Sequence, residues 1–207
     1  LAPLDLPGLA LYNGTINPGV IRGKRDATVV TVFEAIGAYR AGKISLEELR
    51  EIEDLACPGP GACGGQFTAN TMSTALEFLG ISPGGLNSIP ATDPAKLDAA
   101  FRAGELVMDL VNGGVRPSSI MTRSALDNAV ASVAATGGST DGVLHLLAIA
   151  HELGIPLELE DFDRIAARTP IVASLMPGGR FTAVDIHEAG GGGPVARGVL
   201  GPGLVGG

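Results

Sequence analysis

The chain contains no tryptophan, and phenylalanine and tyrosine together make up only 4% of its 207 residues. A core for this length must therefore be built mainly from Ala, Leu, Ile and Val. Basic residues are also scarce: 14 Lys and Arg stand against 22 Asp and Glu, for a net charge of −8 and a pI near 4.8. A nucleic-acid partner calls for a basic face, so this balance argues against one. No apolar run approaches the roughly 20 residues that span a bilayer, so no membrane insertion is expected. No basic start followed by an apolar stretch marks a signal peptide. Two cysteines in a chain of this length make no disulfide framework. A reducing, cytoplasmic setting is the natural expectation. The chain opens on Leu1 in an apolar, proline-punctuated stretch to Leu11, which reads as the result of processing or truncation.

What is present is a globular composition, 45% hydrophobic and 17% charged, with 31 glycines and 14 prolines as punctuation. The length suits one sizeable domain, or one domain and part of another. Residues 12–26 read as a loop, with Asn13-Gly14 and Pro18-Gly19 as turn dipeptides. A helix is predicted from Ala27 to Ala41, where Val29, Phe33 and Ile36 recur at helical spacing before Gly42. Ser45 and Glu48 form a capping box for a second helix, to Leu55. A glycine-rich loop, 57–67, feeds a helix from Thr68 to Leu79 that stops at Gly80.

Asp93-Pro94 opens the next helix, an N-cap followed by proline at the first position, and Gly113-Gly114 closes it. Thr122 caps another, to Ala135, and the break at Gly137-Gly-Ser-Thr140 restarts an apolar helix, Val143 to Leu153. The short apolar runs Ile155–Leu159 and Ile171–Leu175 are expected as strands around a helix from Phe162 to Ala167. Beyond Gly190, glycine and proline are too dense for an easy helix. The expected division is a domain over 1–192 and an irregular tail over 193–207.

Cys57 and Cys63 flank a rigid Pro-Gly-Pro-Gly turn, and Cys63 lies just ahead of a helix. Exposed amides and the helix dipole there favour thiolate, the form that ligates metal or attacks carbon. Gly64 and Gly65 let the backbone approach a bulky inorganic group. On spacing alone several readings compete. The two thiols are ordinary, or form a short-loop disulfide, or ligate zinc, or ligate a cluster completed by cysteines elsewhere. His145, His151 and His187 have no zinc-like spacing. The loop Gly137-Gly-Ser-Thr-Asp141 offers amides and hydroxyls to an anion, though an ordinary Ser or Thr cap is the better account of it. Glu47, Glu48, Glu51, Glu53 and Asp54 read as the solvated face of one helix.

The stretch Cys57-Pro-Gly-Pro-Gly-Ala-Cys63-Gly-Gly-Gln-Phe-Thr-Ala-Asn-Thr-Met72 closely resembles a signature of the dihydroxy-acid dehydratases. Tyr12-Asn-Gly-Thr-Ile-Asn-Pro-Gly19, Val32 to Ala35, Ser124 to Ala129 and Gly137 to Ala150 resemble further segments of that family. The likeness fades after about Gly192.

The resemblance implies an α/β fold, of which this chain would be the helix-dominated part of a three-layer N-terminal domain, without the C-terminal barrel-like domain. It implies dehydration of 2,3-dihydroxy-3-methyl acids to 2-keto acids in branched-chain amino acid synthesis, in a cytoplasmic homodimer. It implies an iron–sulfur cluster (2Fe-2S or 4Fe-4S) acting as Lewis acid, a magnesium ion holding the substrate and a distant serine base. Cys63 carries over as a cluster ligand, with Cys57 its neighbour. The other cluster cysteines, the magnesium ligands and the base serine fall outside this chain. Gln66 stands in place of a usual methionine, and Asp141 where asparagine is common. A sugar-acid dehydratase of the same superfamily and a non-catalytic remnant without a cluster are the alternatives.

Overall fold

Capping chemistry sets several of the helix starts. The computed structural model describes residues 1–200, the side chain of Leu200 excepted. The chain first forms a small antiparallel hairpin, β1 (Gly19–Ile21) and β2 (Lys24–Ala27), and then α1 (Val29–Arg40), α2 (Leu46–Leu55) and α3 (Thr68–Phe78). There follow α4 (Ala95–Gly113), α5 (Pro117–Ile120), α6 (Arg123–Ala135) and α7 (Asp141–Glu152), and finally α8 (Leu159–Ala166), α9 (Ala183–Glu188) and α10 (Gly192–Leu200).

The Ser45 hydroxyl accepts from the Glu48 amide at 3.1 Å, and the Glu48 carboxylate accepts from the Ser45 amide at 3.0 Å. That completes the expected capping box. Thr122 accepts from the Ala125 amide (3.2 Å) and Asp93 from the Ala95 amide (2.8 Å), so both anticipated starts are capped. Such caps stabilise a helix by about 1 kcal/mol each.

The core gathers around α6. Leu126, Ala129, Val130, Ala131, Ser132 and Ala135 are all buried along it. Its alanines let α3, α7, α8 and α10 approach closely, with α3 the most extensive partner. Leu79, Met121, Leu146 and Ile165 fill the same cluster, which holds no tryptophan, as the composition requires.

Three expectations are corrected. The segment read as a loop over 12–26 contains the hairpin, turned by Arg22 and Gly23, both at positive φ (51° and 82°). Two such residues match the right-handed twist of paired strands. The runs Ile155–Leu159 and Ile171–Leu175 form no strand pair; among the described residues, named strands are confined to the hairpin, so the α/β expectation holds only in its helix-dominated part. The irregular tail expected over 193–207 is helical as far as Leu200, because Val195 (4% exposed) and Val199 (0%) bury themselves in the core. Burial there outweighs the poor helix propensity of glycine. The rest of that tail lies outside the described residues. No helix is long and apolar enough to cross a membrane among the residues described.

Candidate functional site

The loop that leaves α2 and enters α3 is fixed by backbone on both sides. The Ala62 amide donates to the Gly14 carbonyl (3.0 Å), and the Ile16 amide donates to the Ala62 carbonyl (2.7 Å). Gly61 sits there at φ 134°, where a Cβ would lie 2.5 Å from the Ile16 nitrogen, so only glycine fits. Past Cys63, the Gly64 carbonyl accepts from the Ala183 amide and the Gln66 amide donates to the Met176 carbonyl, both at 2.7 Å. A Cβ on Gly65 would come within 2.9 Å of the Met176 oxygen. Gly65 thus admits the close approach of this chain's own backbone, while a Cβ on Gly64 would meet only ordinary contacts, the nearest Thr28 Cγ2 at 3.4 Å.

Cys57 and Cys63 are free and exposed on this loop, ahead of α3. The expected placement of Cys63 is therefore observed: a surface thiol on a pinned turn before a helix. Partial burial, and next the nearby Cys63 charge, push the Cys57 thiol up. Tyr12 lies close by, and an open groove of about 400 Å³ runs past Tyr12, Asn13, Ala69 and Met72. Burial, followed by the charge of Cys63, holds the Tyr12 hydroxyl well above the usual phenol range. It stays protonated and donates to Asn70 Oδ1 at 2.9 Å.

The second loop, Gly137–Asp141, packs against the same end of α3. The Ser139 amide donates to Thr71 Oγ1 (2.9 Å), the Asp141 amide to Ser139 Oγ (3.3 Å), and the Thr68 hydroxyl to Asp141 Oδ2 (2.6 Å). The Gly137, Gly138, Ser139 and Asp141 amides are spent within the protein, and the Asp141 carboxylate lies in the first turn of α7, at its positive end. Thr140, the N-cap of α7, makes no side-chain cap bond, and the Ser139 hydroxyl one residue earlier accepts from the Asp141 amide in its place. Gln66, buried, donates to Thr136 Oγ1 at 2.9 Å and ties the two loops together.

His145 and His151 are exposed on α7, and His187 on α9 stands 3.9 Å from Asp93. Arg22 bonds Glu48 at 2.8 Å on the acidic helix α2, a solvated pair. Among the described residues no three His, Cys, Asp or Glu side chains converge to hold a metal. A small cavity of about 30 Å³, lined by Gln66, Asn70, Glu77 and Asn87 and by the apolar Ala183, Ile186 and Val195, has room for water only. Asn70 and Tyr12 were not singled out from the sequence. The available signal was an asparagine inside a predicted helix, where that residue is a poor former and needs a reason.

A helical domain that displays two free thiols, Cys57 and Cys63, on a pinned glycine-rich loop is the class defined by fold and site. The sequence matches the family described as dihydroxy-acid/6-phosphogluconate dehydratase N-terminal over residues 1–205, and the chain belongs to that family. It is similar to the dihydroxy-acid dehydratase of Roseiflexus sp. (strain RS-1), 55% identical over 197 residues, 95% of this chain and 35% of the relative. It is similar also to that of Koribacter versatilis (strain Ellin345), 58% identical over 191 residues, 92% of this chain and 33% of the relative. With the dihydroxy-acid dehydratase of a Thermus thermophilus strain it shares 54% over 200 residues, 97% of this chain and 36% of the relative. The chain spans about a third of the length of these curated relatives.

Proposed function

We propose that this chain supplies the cluster-bearing part of a dihydroxy-acid dehydratase, a hydro-lyase converting 2,3-dihydroxy-3-methyl acids to 2-keto acids for branched-chain amino acid synthesis. The observation that carries the reading is Cys63: a free, exposed thiol on a backbone-pinned loop, within a chain about half identical to proteins of that name. The donor set fits a share of an iron–sulfur cluster, one thiolate from this chain with the remaining ligands from elsewhere in the protein. Cys63 would hold an iron, with Cys57 its neighbour on the same loop. When bound, the cluster supplies a Lewis acid for a hydroxyl that leaves poorly by itself.

The residues present do the positioning. The carbonyls around Cys63 are turned into the protein, and an open groove lies beside Tyr12, Asn13, Ala69 and Met72. The magnesium ion and the base serine belong, in this reading, to parts beyond this chain, as does the C-terminal barrel-like domain. The three-layer arrangement, the homodimer and the cytoplasmic setting follow from the same reading, and nucleic acid has no part in it.

The test is a comparison of substrates on the intact protein. Turnover of 2,3-dihydroxyisovalerate, read as 2-keto acid, with gluconate and 6-phosphogluconate poor substrates, is the expected result. The reverse preference would replace the branched-chain reading by the sugar-acid one.

A further inference from the structure

Asn70 lies in the first turn of α3 and is 6% exposed. Its side chain reaches back to the loop before the helix, where its amide donates to both the Cys63 and the Gly65 carbonyls, the latter at 2.6 Å. Its oxygen accepts from the Tyr12 hydroxyl at 2.9 Å. The Cys63 carbonyl takes a second bond from the Thr15 hydroxyl (3.1 Å), and the Ala62 and Gly64 carbonyls accept from the Ile16 and Ala183 amides (both 2.7 Å). Four successive carbonyls, 62 to 65, are thereby tied into the protein. The thiol is left as the outward group of the turn.

We propose that Asn70, oriented by Tyr12, is a positioning residue for Cys63: it fixes the peptide planes that follow Cys63 and Gly65 and so the direction in which the sulfur leaves the loop. The inference rests on the reading of Cys63 as cluster ligand. One amide satisfies two carbonyls here, and no aliphatic side chain of similar size does so. Tyr12 sets which way that amide faces, because its hydroxyl donates to the asparagine oxygen and leaves the NH2 for the carbonyls.

The experiment uses the intact protein with Asn70→Ala, Tyr12→Phe and Cys63→Ser. In the iron-free form, alkylation of the Cys63 and Cys57 peptides is followed by mass spectrometry. In the cluster-loaded form, electron paramagnetic resonance and iron loss to a chelator are followed. Asn70→Ala and Tyr12→Phe are expected to raise Cys63 alkylation by roughly tenfold, the scale of one lost hydrogen bond to a buried carbonyl, while Cys57 stays within twofold. Both should also shift the resonance signal and shed iron roughly tenfold faster, with the melting temperature held.

Equal rates at Cys63 in both variants, or a matching rise at Cys57, would overturn the positioning role. Should Asn70→Ala fail to fold, Tyr12→Phe, which keeps the ring and the asparagine, decides alone. A Cys63→Ser protein that keeps its cluster signal would sink the ligand reading, while the iron-free alkylation still decides the positioning one.

Discussion

Glu77 on α3 is a carboxylate held in a crowded place. Its Oε1 accepts from the Gly85 and Asn87 amides, both at 3.2 Å, while a Cβ on Gly192 would sit 2.4 Å from its Oε2. Burial pushes its carboxyl above the ordinary 4.5, opposed by those two amides and by the charge of Lys96. An acid with a raised value binds a proton in the folded state that the unfolded chain has released. Its contribution is thus fully present below about 4.5 and is lost as the pH climbs through the raised value. Glu77→Gln should flatten that loss and leave the protein at least as stable at pH 7, read from urea midpoints between pH 4 and pH 7. A variant that unfolds more easily at pH 7 would show that the charge itself is needed. Cys63 was legible at this scale because its motif is contiguous. Tyr12 and Asn70 were not, because their bond joins positions 58 apart in the sequence, which no local pattern records.

Helix starts at Ser45, Asp93 and Thr122 were legible because a cap is a contract among residues at most three apart. The hairpin was missed for the opposite reason: Lys24-Arg25-Asp26 carries no apolar alternation, and only the Arg22-Gly23 turn betrays it. The runs 155–159 and 171–175 misled because a short apolar run does not by itself distinguish a strand from buried coil. At α10 the deciding term is tertiary. Val199→Ala removes two fully buried methyls and should destabilise by about 2 kcal/mol in a denaturant titration. A frayed tail, as the glycine content alone suggests, would give no change. Leu126→Ala, at the centre of α6, should cost more, about 2–5 kcal/mol.

At the scale of the whole molecule, α4 turns an apolar stripe outward: Leu97 is 80% exposed, Phe101 70% and Met108 55%, at helical spacing. Contiguous apolar surface of this kind drives association. The 207-residue chain by itself should self-associate, and Phe101→Glu should lower its weight-average mass in sedimentation; an unchanged mass would remove the stripe from the account. The same isolated chain should stay colourless after anaerobic treatment with iron and sulfide, since its two cysteines are too few to hold a cluster alone.

The central claim is that Cys63, and not Cys57, is this chain's contribution to the cluster of a longer dehydratase. Iron content and visible absorbance of the intact protein, compared between Cys63→Ser and Cys57→Ser after identical anaerobic reconstitution, test it most directly. The account predicts that Cys57→Ser keeps its colour and iron while Cys63→Ser loses both. A Cys63→Ser protein with the full absorbance and iron of the parent would contradict it.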